Sequence, residues 1–271
     1  MLATRIQTAV ALFGVVALLL FVLPSMSWVL FCCVVAGLGF WEWLGLTAKP
    51  YLERGPRLMV SAIVVLALAG VVLFAPMSVM GWLTGLSVLL GSAFWLLIVP
   101  FWLVRQWRLI HPVLHGLVGL VLLVPAWTAL VSLKSVPPEP WLLLVVMAVP
   151  WIADIGAYFS GRRFGKRKLA PSISPGKTWE GVAGAAVCML IYGLILNQVG
   201  GIFSLLTIPV LLLLLALSIT GDLFESLMKR QAGIKDSSAL LPGHGGVLDR
   251  IDSQLSVLPV ALLLIIIATG R

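Results

Sequence analysis

The stretch GHGGVLDRID, Gly243 to Asp252, places a histidine, three glycines, two aspartates and an arginine directly ahead of an apolar run that could sit in hydrocarbon. Asp249 and Asp252 are three residues apart, as are Asp222 and Glu225, so each pair shares a helix face. Seven of the ten acidic residues lie after residue 150, namely Asp154, Glu180, Asp222, Glu225, Asp236, Asp249 and Asp252. An aspartate at the centre of a spanning helix costs about 2.5 to 3.5 kcal/mol on insertion scales, so acids near spans call for partners or water. Clustered carboxylates repel unless something positive sits among them. A hard divalent cation with oxygen ligands satisfies that need, and Mg²⁺ commonly uses one or two carboxylates together with substrate phosphates. The competing reading pairs these acids with Lys229, Arg230 and Arg250 at the membrane interface.

Cations and glycines add a phosphate-binding character. Gly243, Gly245 and Gly246 allow positive φ and close backbone approach, and they precede a helix N-terminus whose free N–H groups attract anions. His244 is open to three roles: phosphate donor, structural hydrogen-bonder or base. The segment KLAPSISPGKTWEG brings Lys166, Arg167, Lys168, Lys177, Ser172, Ser174 and Thr178 to one loop. Its PSISPGKT matches the P-loop pattern except that Pro171 replaces the first glycine, and no preceding strand is expected, so a P-loop NTPase is rejected. A solvated basic loop attracted to acidic lipid is the plainer alternative. Glu42, between Trp41 and Trp43, reads as part of an interfacial anchor.

These residues must be positioned by membrane helices. The chain is 61% hydrophobic and 10% charged, with a mean hydropathy of +1.13, far from soluble composition. An all-α polytopic membrane protein is expected, with about nine spans of 17 to 25 residues. They fall near 7–24, 26–47, 58–75, 79–104, 113–133, 140–160, 178–198, 202–228 and 251–270, separated by turns such as Leu23-Pro24-Ser25, Lys49-Pro50 and Val136-Pro137-Pro138. The first run lacks a cleavage signal and is read as an uncleaved span. With a cytoplasmic N-terminus and an outer C-terminus, only Lys134 and Arg271 among the Lys and Arg residues fall outside.

The outer loops, Pro24 to Ser27, Pro76 to Ser78 and Asn197 to Gly201, are short, so chemistry is expected on the cytoplasmic side. Spans six, eight and nine bring Asp154, Asp222, Glu225, Asp249 and Asp252 to one membrane level there. The chain divides into a plain region, 1–138, and a catalytic region, 139–271, with cytoplasmic loops 161–177 and 229–250. The net charge of +8 follows topology rather than nucleic-acid binding. Cys32, Cys33 and Cys188 sit in apolar stretches with no ligand spacing and read as core residues.

From Ser226 to Asp252 the chain reads SLMKRQAGIKDSSALLPGHGGVLDRID, which resembles the signature of the phosphatidate cytidylyltransferase family, bacterial type. The matching positions are Ser226, Lys229, Arg230, Lys235, Asp236, Pro242, His244, Gly245, Gly246, Asp249, Arg250 and Asp252. WIADIGAYFSGRRFGKRKLAPSISPGKTWEG and TGDLFESLMKR resemble it too, so the likeness covers about residues 148 to 253; the first half is similar only in hydrophobicity and length. One departure is Ile155, where members commonly carry a hydroxyl; it leaves Asp154 unaffected.

The resemblance implies Mg²⁺-dependent conversion of CTP and phosphatidate to CDP-diacylglycerol and pyrophosphate, by a homodimer in a bacterial inner membrane. The dimer does not follow from the residues. In that chemistry two polyanions meet and no protein nucleophile is needed. Asp222 and Asp249 would bind the metal, with Asp154 and Asp252 as further ligands and a second cation allowed. Lys177, Lys229, Arg230, Lys235 and Arg250 would hold phosphates, aided by Ser174 and by the backbone of Gly245 and Gly246. A CTP-dependent kinase of a membrane alcohol and an ion-coupled transporter are the rival functions; acids gathered at one level disfavour the transporter.

Overall fold

Residues 2–48, 52–200 and 206–270 are described by the structure, a computed structural model; the side chains of residues 2–6, 9, 112, 199 and 200 fall outside that description. The elements are α1 (Leu2–Phe21), α2 (Ser25–Thr47), α3 (Arg54–Phe74), α4 (Met77–Ala93), α5 (Val99–Arg105), α6 (Pro112–Leu133), α7 (Trp141–Phe164), β1 (Lys168–Ala170), β2 (Ser174–Thr178), α8 (Trp179–Gly200), α9 (Thr207–Gln231) and α10 (Leu248–Thr269). A π-helical turn, Phe94–Ile98, joins α4 to α5, so Met77–Arg105 forms one span. Helices take up 79% of the chain, in line with the all-α class expected from composition.

Among the described residues, eight helices are long and apolar enough to cross a membrane. The first expected span corresponds to α1, whose described apolar part, Val10–Phe21, is shorter. Prolines set several starts: Pro24, Pro76 and Pro140 precede α2, α4 and α7. A proline lacks the N–H that a helix start leaves unbonded, so the position suits it. Gln106 (φ 49°) ends α5 in the left-handed region.

The boundaries shift in ways that matter for the site. α10 begins at Leu248 rather than near 251, which puts Asp249 inside the helix together with Asp252. α9 continues to Gln231, so Lys229 and Arg230 are helical rather than in a loop, and α7 continues to Phe164. α8 runs through Asn197, expected in an outer loop. The Lys49-Pro50 turn, Gly201, residues 202–205 of the eighth expected span, Arg271 and the side chain of Arg5 lie outside the described residues.

α10 is the central helix, packing against α9, α6, α4, α7 and α2. Ser253 through Leu262 are all buried. Small residues let α9 and α10 approach: a Cβ on Gly221 would lie 2.6 Å from the Asp252 carbonyl oxygen. Hydroxyls then seal the interface, Ser253 Oγ donating to Ser218 O at 3.0 Å and Ser256 Oγ to Leu217 O at 2.8 Å. Without a hydrophobic drive between helices in lipid, close contact and such hydrogen bonds hold spans together.

An aromatic cluster anchors the other side of α9. The Phe224 ring is met edge-on by Phe94, Trp95 and Trp102, with centroids at 6.1, 5.7 and 5.4 Å, and is stacked on Trp43 at 6.2 Å. Phe224 is next to Glu225, so this packing sets the rotation of the helix that carries the acids. At the far end, Lys134 Nζ donates to Leu19 O at 2.9 Å and lies 5.6 Å from the centroid of the Trp28 ring.

Candidate active site

Three helix ends and a hairpin build the polar region. β1 and β2 pair antiparallel, with Lys168 opposite Thr178 and Ala170 opposite Ser174. A short strand therefore does precede SPGKT, but SPGKT is itself the second strand, and no phosphate-cradling loop forms. The basic segment is a hairpin held at its base, with Lys166, Arg167 and Lys168 exposed as a solvated basic stretch requires. Glu180 accepts the backbone N–H of Lys166 at 3.0 Å and of Arg167 at 3.2 Å, and Thr178 Oγ1 caps α8 by accepting the Gly181 N–H at 3.2 Å. Arg230 Nε donates to Ile173 O at 3.3 Å, tying α9 to the hairpin turn.

That hairpin aims Lys177 at α9. Its Nζ lies 2.5 Å from Asp222 Oδ2, and Asp222 Oδ1 accepts from Ser226 Oγ at 3.2 Å. Asp154, on α7, is exposed on the wall of a cavity of about 320 Å³ that Lys177, Arg162 and Tyr158 also line. Asp154 lies in the field of Asp222, Lys177 and Arg250, and Asp252 in the field of Asp222, Asp154 and Lys229. Asp154, Asp222 and Asp252 thus form one acidic cluster, faced by Lys177 and Arg250.

A second cluster adjoins it. Lys229 Nζ bridges Glu225 Oε2 at 2.5 Å and Asp249 Oδ1 at 2.6 Å, with both carboxylate side chains no more than 5% exposed. Asp249 Oδ2 accepts from Ser237 N at 2.9 Å, Ser237 Oγ at 3.0 Å and Gly246 N at 2.8 Å. Asp222 and Glu225, though on one helix face, therefore engage different lysines, and the five acids expected at one level are split into two groups. Among the described residues no group of three His, Cys, Asp or Glu is gathered as a metal site.

Glu42 corrects the sequence reading most sharply. It is 1% exposed rather than an interfacial anchor. Its carboxylate accepts from Ser237 Oγ at 3.1 Å, Ser238 Oγ at 2.6 Å, Val247 N at 3.0 Å and Leu248 N at 2.6 Å. The amides at the start of α10, expected to be free for phosphate, are thus taken by Glu42, and that of Gly246 by Asp249. The protein's own carboxylates satisfy the positive helix end. The residues missed are Glu42, Ser237 and Ser238; the only signal was a carboxylate among tryptophans in an apolar span, which costs too much to be idle.

The glycines serve this packing. A Cβ on Gly246 would strike Ser237 Oγ and approach Glu42 Oε1 to 2.5 Å, and Gly245 has φ +81° with Asp249 Oδ2 2.6 Å from its would-be Cβ. The turn closes on itself through Leu241 N to Gly245 O at 2.8 Å and His244 N to Leu241 O at 2.9 Å. His244 Nδ1 is buried with no hydrogen-bond partner. Lys235 and Asp236 are exposed, and Ser174 is half-buried in β2. Cys32 and Cys33 are buried and Cys188 is partly so, all as free thiols.

Comparison with known proteins covers nearly the full chain. The model of the cytidylyltransferase family matches residues 3–268. The chain is 42% identical to the phosphatidate cytidylyltransferase of Pseudomonas aeruginosa over 96% of its length and 95% of that protein. It is 36% identical to the Haemophilus influenzae protein of the same name, over 96% of each chain. Identity to the Brucella suis phosphatidate cytidylyltransferase is 49% over 115 residues, 42% of this chain and 43% of that one.

Proposed function

The chain belongs to the cytidylyltransferase family, an enzyme family of nucleotidyl transfer, and from that premise we propose that it joins CTP and phosphatidate into CDP-diacylglycerol and pyrophosphate. Near-full-length similarity to two proteins named phosphatidate cytidylyltransferase supports the choice of substrates. In this reading the N-terminus and the polar ends of α7, α9 and α10 face the cytoplasm of a bacterial inner membrane, supported by the segregation of basic residues. The homodimer rests on the resemblance alone.

One observation carries the chemistry: Lys177, paired with Asp222, shares with Asp154 the wall of a cavity between membrane helices. A phosphate oxygen of phosphatidate attacks the α-phosphorus of CTP. The new P–O bond forms as the bond to the bridging oxygen breaks, and pyrophosphate leaves with that electron pair. Positioning and charge neutralisation dominate such transfers. Lys177, Arg230, Lys235 and Arg250 would hold phosphates, with Ser174 and His244 as further donors. Lys229 would act while bridging Glu225 and Asp249.

All candidate ligands are carboxylate oxygens, the donor type a hard cation takes. Asp222 and Asp249, however, lie in separate clusters, each paired with its own lysine. Both oxygens of Asp249 are engaged by Lys229, Ser237 and Gly246, so the arrangement in the structure does not fit a cation shared between them. For Asp222 and Asp249 to hold Mg²⁺, with Asp154 and Asp252 as further ligands and a second cation in the same reading, Lys177 and Lys229 would have to give up these carboxylates. When bound, the ion offsets the negative charge of the phosphates.

The test supplies detergent-purified protein with Mg²⁺, phosphatidate and CTP labelled either at the α- or the γ-phosphorus. Label from the α-position in the lipid product, with pyrophosphate release, is the expected result. Transfer of the γ-label instead, or no lipid label from folded protein, overturns the proposal.

A further inference from the structure

A second cavity exceeds the one beside Asp154 and Lys177. It measures about 980 Å³ and lies between the ends of α2, α3, α5 and α9, lined by Trp41, Arg54, Arg57, Arg108, Leu109 and Met228 among others. That volume is at the upper end for small-molecule sites, far more than an inorganic phosphate requires. Its wall includes Glu42 and Ser237, and Ser237 donates both to Glu42 and to Asp249. The cavity therefore backs onto the Lys229–Asp249 cluster.

Charge distinguishes this cavity. Arg54 and Arg57 open α3 and Arg108 follows α5, so three guanidinium groups arrive from two separate parts of the chain. None of the four ion pairs among described residues involves them. Arg57 is held in place: it lies 6.0 Å from the centroid of the Trp41 ring and donates from Nε to Glu53 O at 3.3 Å, and Gly45 leaves room for its Nη1. The Trp41 indole N–H on the same wall has no acceptor. Three like charges around one hollow call for an anion, and planar guanidinium forks match phosphate oxygens two at a time.

We infer that this cavity is a second phosphate-binding site, taking a phosphate ester or polyphosphate through Arg54, Arg57 and Arg108. The inference rests on the proposed function for its two sources of that chemistry, the triphosphate of CTP and the headgroup of phosphatidate. It assigns to the first half of the chain a share in substrate binding that no motif there announces. Arg54 and Arg108 are exposed, so their replacement leaves the helix packing intact.

The test measures equilibrium binding to the full chain, with CTP in one arm and nanodiscs containing phosphatidate, against phosphatidylcholine discs, in the other. Arg54→Gln/Arg108→Gln is expected to weaken one arm at least tenfold, and the arm affected names the source. Arg105→Gln removes an arginine outside the cavity and serves as the control. Both arms within twofold of wild type in the double variant, or an equal loss in Arg105→Gln, overturns the inference. A wild-type protein that binds but forms no CDP-diacylglycerol would instead sink the proposed function and leave the binding comparison readable.

Discussion

Glu42 and Leu248, 206 residues apart, are joined by a 2.6 Å hydrogen bond from the Leu248 amide to the Glu42 carboxylate. This contact makes an acid of the second helix the N-terminal cap of the last one, and through Ser237 it also supports Asp249. A buried anion and a helix end, each costly alone, offset one another.

Removal of that cap has a defined cost. Glu42→Ala leaves the Ser238 hydroxyl and two amides without their acceptor, while the Ser237 hydroxyl keeps Asp249, and each buried unsatisfied group costs about 1 to 3 kcal/mol. Thermal unfolding in detergent should shift down, and turnover should fall at least tenfold even at temperatures where the variant is folded. Glu42→Gln, which keeps one acceptor oxygen, should lie between. Wild-type melting in Glu42→Ala would show that the cap is idle.

Lys229 bridges two carboxylates that are almost fully enclosed. Breaking a buried pair by removing one partner typically costs about 3 to 5 kcal/mol, because a charge is left uncompensated. Lys229→Met should therefore be severely destabilised, and Lys229→Met/Glu225→Gln less so. A double-mutant cycle in denaturant measures the coupling, and additive losses would contradict the bridge.

Asp222 is a different case, since its side chain is 27% exposed and its main contact is the surface-accessible Lys177. Asp222→Asn should leave the melting temperature within a few degrees of wild type while lowering turnover by orders of magnitude. The same separation is expected for Asp154→Asn. Normal turnover in a folded Asp222→Asn protein would remove it from the chemistry.

Two glycines offer a steric contrast. Gly246→Ala would drive a methyl group into Ser237 and Glu42, whereas a Cβ on Gly176 meets nothing within 4 Å. Turnover assays should show a large loss for Gly246→Ala and little change for Gly176→Ala. Equal behaviour would mean that the loop before α10 can relax around the added group.

Much of the fold was legible in the sequence because insertion into a membrane is decided locally, by about 20 consecutive apolar residues and the charges at their ends. Alternating span direction was enough to expect Asp154, Asp222, Asp249 and Asp252 near one another, since helix polarity follows from counting. The tertiary structure alone decided how each carboxylate is turned about its helix axis, because rotation depends on side-chain packing such as the Phe224 cluster. That rotation sends Asp222 to Lys177 and Glu225 to Lys229 although the two acids share a helix face. It also brings Glu42 against the start of α10, a partnership with no local signature, because a hydrogen bond across 206 residues exists only after the spans have packed.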